Sequence, residues 1–131
     1  YDVYALDAAT GSLIWSYETD NAVVSSPAVA DGVVYVGSDD YDVYALDAST
    51  GELLWSYEMG SGVTSSPAVA DGVVYVGSWD NFFYALDAAT GGLLWRYKTA
   101  SNVLSSPAVN DGVVYLGSAD NYVYAIRAGR P

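Results

Sequence analysis

The stretch Pro27-Ala-Val-Ala-Asp-Gly-Val-Val-Tyr-Val-Gly37 holds two apolar runs separated by Asp31-Gly32. An Asp-Gly pair between apolar runs is a strong short-range mark of a two-residue β-hairpin. Residues 27–30 and 33–38 are therefore read as strands one and two of a unit. Working outward, Gly37-Ser-Asp-Asp40 makes the next turn and residues 41–47 form strand three. Asp47-Ala-Ser-Thr-Gly51 turns the chain again, with Gly51 supplying a positive φ. Leu53-Leu-Trp-Ser-Tyr57 is strand four, and its counterpart forty residues earlier covers 12–19. No segment of ten or more residues has an apolar period of 3.6, so essentially no helix is expected.

The same pattern recurs. Units 1–40 and 41–80 differ at 9 of 40 positions, units 41–80 and 81–120 at 14 of 40, and a partial copy occupies 121–131. Each unit should fold as one supersecondary module within a single repeat domain, 1–131. Strands two and three are apolar at nearly every position, which means that both faces of each sheet are covered. With no helices available, sheets must cover sheets. The expected fold is all-β: a β-propeller of four-stranded antiparallel blades, about three per chain. A sandwich fits less well, because its strands keep a polar face.

Composition narrows the function. The 131 residues are 52% hydrophobic and 15% charged, too apolar for disorder, and the apolar runs are too short to span a bilayer. With no Cys and no His, thiol nucleophiles, disulfides, thiolate–zinc sites and imidazole bases are excluded. Four Lys+Arg against sixteen Asp+Glu give a net charge of −12, the opposite of a nucleic-acid or anionic-membrane footprint. All four cations (Arg96, Lys98, Arg127, Arg130) lie in the last 36 residues. The acidic start and basic end of the chain should attract.

Val34-Tyr-Val-Gly-Ser38, Tyr44-Ala-Leu-Asp-Ala48 and Thr50-Gly-Glu-Leu-Leu-Trp55 closely resemble the blade repeat of the pyrroloquinoline-quinone (PQQ)-type propellers. That family includes periplasmic quinoprotein dehydrogenases and outer-membrane assembly scaffolds similar to BamB. The resemblance implies that Trp15, Trp55 and Trp95 dock between neighbouring blades, and it implies a periplasmic or extracellular location. Family enzymes hold PQQ and calcium over the propeller axis with an acidic base, some with a vicinal disulfide. This chain has no Cys pair, no long insertion, and no Asp or Glu standing apart from the repeated turns, so no cofactor is expected.

Other candidate residues follow from the repeat. The turn carboxylates Asp7, Asp47 and Asp87, Asp31, Asp71 and Asp111, and Asp40, Asp80 and Asp120 either collect hard cations or cap their own turns; turn capping is favoured. Trp79, Phe82 and Phe83 break the repeat where the earlier unit has Asp39, Asp42 and Val43, marking either a small recognition patch or a packing adjustment. The expected function is a non-enzymatic scaffold or protein-interaction module. The alternatives are a piece of a PQQ-dependent dehydrogenase or sensor, and a designed or evolutionary-model propeller without a ligand. Residues 1–20 supply strands three and four, whereas 101–131 supply strands one to three, so the two ends hold complementary parts of a blade. Closure within one chain would give a three-bladed ring, below the usual range of about four to eight. The expected partner is a second copy, head to tail, with Arg127 and Arg130 at the contact: a six-bladed dimer is favoured over an open filament.

Overall fold

At each Asp-Gly pair the chain reverses through two left-handed residues, Asp31 at φ 50° and Gly32 at φ 77°, repeated at Asp71-Gly72 and Asp111-Gly112. Two successive positive φ values give the tight turn whose twist matches the flanking strands. In the computed structural model, which describes residues 1–128, thirteen strands and no helix follow from these turns. They are β1 (Asp2–Leu6), β2 (Leu13–Glu18), β3 (Ala28–Ala30), β4 (Val33–Gly37), β5 (Asp42–Asp47), β6 (Leu53–Glu58), β7 (Ala68–Ala70), β8 (Val73–Gly77), β9 (Phe82–Asp87), β10 (Leu93–Lys98), β11 (Ala108–Asn110), β12 (Val113–Gly117) and β13 (Val123–Arg127).

The strands form four antiparallel sheets: β1-β2, β3-β4-β5-β6, β7-β8-β9-β10 and β11-β12-β13. The two middle sheets are whole blades and the outer two are parts of blades. β3 lies beside β7 and β7 beside β11, so the first strands of successive sheets share one axis. Among the described residues, no strand of the first sheet touches one of the fourth.

Three apolar layers fill the spaces between sheets. Val3, Trp15 and Tyr17 meet Val34, Val36, Tyr44 and Leu46. Tyr35, Val43, Ala45 and Trp55 meet Val74, Val76, Tyr84 and Leu86. Tyr75, Phe83 and Ala85 meet Val114, Leu116, Tyr124 and Ile126. Both side-chain sets of β4, β5, β8 and β9 are consumed in this way, as their continuous apolar runs require.

Two expectations need correction. Full coverage of strands two and three fails at the ends of the chain: β1, β12 and β13 alternate between covered and exposed residues because no sheet lies beyond them. Strand three starts at Asp42, one residue later than expected, because Tyr41 sits at φ 83° in the turn.

Candidate functional site

The repeated tryptophans join each sheet to the next. Trp15, Trp55 and Trp95 donate their indole N–H to the carbonyls of Ala48, Ala88 and Ala128 at 2.9, 2.9 and 3.1 Å. Each acceptor lies just beyond strand three of the following sheet. The Trp55 ring also packs against Gly91, where a Cβ would fall 2.5 Å from a ring carbon. Glycine is required there twice over, since its φ is +78°. A polar N–H satisfied at the rim of a large apolar ring suits an aromatic residue buried at a seam.

Three further connections recur with the same forty-residue phase, and reasoning from turns and apolar runs missed them. Tyr17 packs on Tyr44, Tyr57 on Tyr84 and Tyr97 on Tyr124, with ring centroids 5.6–6.0 Å apart. Along the axis, the Ser26 N–H donates to Ser66 Oγ and the Ser66 N–H to Ser106 Oγ, at 2.7 and 3.1 Å. The Asp20, Gly60 and Ala100 N–H groups donate to the carboxylates of Asp40, Asp80 and Asp120, which belong to the next sheet. The available signal was the unvarying Ser-Ser-Pro at 25–27, 65–67 and 105–107: three identical copies of a polar pair beside the axis.

Two of the three sets of turn carboxylates cap their own turns. Asp7, Asp47 and Asp87 accept backbone N–H bonds from the residues two and three ahead, at 2.8–3.1 Å. Asp40, Asp80 and Asp120 accept from the backbone N–H two residues ahead and from the hydroxyls of Tyr44, Tyr84 and Tyr124. Burial, followed by that bond, pushes the Tyr44 and Tyr84 hydroxyls well above their ordinary value. The Asp120 bond and then desolvation push Tyr124 up to about 12. Among the described residues no group of three or more acidic, His or Cys side chains is placed to hold a metal ion. This donor set does not fit a calcium–quinone site.

The sheet divides the trio Trp79, Phe82 and Phe83. Phe83 is fully buried and stacked on Tyr75 at 6.3 Å, so it belongs to the core and not to a surface patch. Phe82, on the opposite face, carries the Arg96 guanidinium 4.1 Å from its ring centroid. Trp79 is half-exposed, bonds Thr64 Oγ1 through its indole N–H at 3.0 Å, and shares a shallow cavity with Asp39, Ser61 and Gly62. Arg127 is exposed at the end of β13. Arg130 lies outside the described residues.

The largest departures from the repeat are at the two ends. Tyr4 is 61% exposed whereas its equivalent Tyr44 is 6% exposed, and Leu6 is exposed where Leu46 is buried. On the outer face of the last sheet, Tyr115 is 42% exposed against 3% for Tyr35, and Val123 is 82% exposed against 0% for Val43. Within the chain, Tyr84 and Leu86 bury the face equivalent to the first, and Tyr35 and Val43 bury the face equivalent to the second.

Four-stranded antiparallel sheets stacked about an axis, with a docking Trp at each seam, define a PQQ-type β-propeller repeat protein. The chain belongs to the family described as outer membrane protein assembly factor BamB, whose model matches residues 1–64 and 42–130. Among solved structures it is similar to BamB from Moraxella catarrhalis, with 25% identity, a TM-score of 0.86, and coverage of 98% of this chain and 41% of that one. The computationally designed Ika4 protein superposes with a TM-score of 0.86 at 24% identity, covering 96% of this chain and 79% of the design. A quinohemoprotein alcohol dehydrogenase from Comamonas testosteroni is 31% identical over 83% of this chain and 20% of its own, with a TM-score of 0.73. The chain thus spans less than half the length of the Moraxella protein. No curated protein sequence matches it.

Proposed function

We propose that the chain is a non-enzymatic propeller module that acts as a scaffold and protein-interaction surface, its ring completed by further copies joined head to tail. The observation that carries this reading is the pair of end sheets. One supplies strands three and four, the other strands one to three, and each leaves bare the apolar face that its equivalents bury. Each chain contributes three blades, so two copies make six, within the range of closed propellers. The serine ladder supports the same order of sheets, since a second copy would let Ser106 N–H meet Ser26 Oγ. Membership of the BamB family supports a scaffold role in the periplasm or at the cell exterior.

The contact is heterologous, so a rotation that fails to close would give an open filament. Light scattering should report about twice the 13.8 kDa chain mass, or a very large polymer. A folded monomer at micromolar concentration would overturn the reading. Titration with PQQ and Ca²⁺ tests the enzymatic alternative. Bound-quinone absorbance in the assembled protein would favour a dehydrogenase or sensor.

A further inference from the structure

Several departures from the repeat converge on one seam, at the end of the blades opposite the Asp-Gly turns. Gly62 stands where the flanking units have Ala22 and Asn102, Thr64 where they have Val24 and Leu104, and Trp79 where they have Asp39 and Ala119. These three residues and Asp39 line one shallow cleft between the second and third sheets. The Thr64 hydroxyl accepts the Trp79 indole N–H and the Gly62 carbonyl accepts its backbone N–H, both at 3.0 Å. Neither Val nor Leu at position 64 could hold the indole. The ring is thus fixed at one edge while Trp79 stays 46% exposed.

Gly62 leaves the opposite wall open, since a Cβ there would lie 3.4 Å from Asp39 Oδ1. Among the described residues the Asp39 carboxylate takes no hydrogen bond or ion pair. Its neighbour Asp40, by contrast, accepts from Asp20 N–H, Asp42 N–H and the Tyr44 hydroxyl. The geometry points to a binding site for an arginine side chain of a partner protein, its guanidinium lying on Trp79 and donating to Asp39. This inference rests on the interaction-surface reading above and deepens it by naming the partner's chemistry, a basic segment.

A guanidinium is planar and weakly hydrated, so it can stack on an aromatic face while its N–H groups meet a carboxylate. The chain already uses the first half of that pairing internally, with Arg96 4.1 Å from the Phe82 ring centroid. Charge favours a cation. Fourteen of the sixteen acids lie before residue 96, and the two cations of the third sheet, Arg96 and Lys98, are on its outermost strand. Beside the cleft, burial and then the charges of Asp40, Glu58 and Asp20 push the Asp42 carboxyl up. A saccharide also stacks on tryptophan, but a neutral ring gains nothing from that concentration of negative charge.

Fluorescence anisotropy of a Gly-Arg-Gly amide carrying a neutral dye, at low salt, tests this on the unmodified chain in any state of assembly. Binding should weaken about threefold in Asp39→Asn and in Trp79→Ala, and about tenfold when citrulline replaces arginine. Asp71→Asn removes the same charge at the opposite end of the blades and should leave binding unchanged. Equal losses in Asp39→Asn and Asp71→Asn would mean attraction by net charge alone and overturn the proposal. Absent binding, or equal binding of the citrulline peptide, would do the same. A change in tryptophan emission with maltose, abolished by Trp79→Ala and without arginine-peptide binding, would assign the cleft to a saccharide instead. Asp39→Asn keeps the shape of the side chain and carries the test alone should Trp79→Ala fail to fold. Light scattering separates the two readings. An assembled chain that ignores the peptide counts against the arginine site and leaves the scaffold standing, whereas a monomer that binds it with these losses keeps the site and counts against the ring.

Discussion

Tyr41 shows how a single residue departs from an otherwise regular repeat. It stands at φ 83°, where the next two units have Asn81 and Asn121, each at φ 76°. The left-handed region costs a residue with a bulky side chain roughly 1–2 kcal/mol, and Asn tolerates it better. Tyr41 is half-exposed, so little packing offsets that cost. Tyr41→Asn should raise stability by about 1 kcal/mol, measured by denaturant unfolding. The tyrosine–aspartate pairs predict a pH limit. The folded state holds the Tyr84 proton beyond its ordinary 10.0, through burial and the bond to Asp80, with Arg96 opposing. The unfolded chain releases it near that value, so the stabilisation is complete below pH 10.0 and falls as the pH rises above it. Tyr84→Phe should cost about 1 kcal/mol at neutral pH and make the alkaline decline shallower.

At the scale of elements, the blade is held by what passes between sheets. Trp55 is buried at the seam between the second and third sheets and bonded to Ala88, so Trp55→Ala should destabilise by about 3–5 kcal/mol. Gly91→Ala attacks the same contact from the other side and should also destabilise, by more than the roughly 1–2 kcal/mol of its positive φ alone. If thermal unfolding showed either variant as stable as the parent, the seam would not depend on that contact. Strand positions were legible to within a residue, because Asp-Gly and Thr-Gly turns punctuate the apolar runs. The patch at Trp79, Phe82 and Phe83 was not. Phe82 and Phe83 are adjacent, and in a strand adjacent side chains take opposite faces. Which face the next sheet covers is a property of the stack.

For the whole molecule, stability and assembly should be one quantity. An arc with two bare apolar faces gains most when each face is covered, and anything that binds only the folded state raises its apparent stability by mass action. The melting temperature should therefore rise with protein concentration over the micromolar range, in step with the mass seen by light scattering. A melting temperature independent of concentration, together with a monomeric mass, would show that the arc stands alone. The acidic start and basic end of the chain, legible from charge alone, should act at this scale, with high salt lowering the mass seen by light scattering.

By itself, the sequence determined the repeat, the turns and the four-strand unit, since each rests on residues close together in the chain or on a pattern copied three times, whereas docking by the repeated Trp was what the family resemblance implied. The tertiary structure alone decided which faces are bare, that the serine ladder and the tyrosine pairs join sheets, and that Phe83 is core. Those outcomes depend on which neighbour each sheet has. Identical strands such as β1 and β5, both Asp-Val-Tyr-Ala-Leu at their start, end up exposed and buried because one stands at the edge of the arc and the other within it.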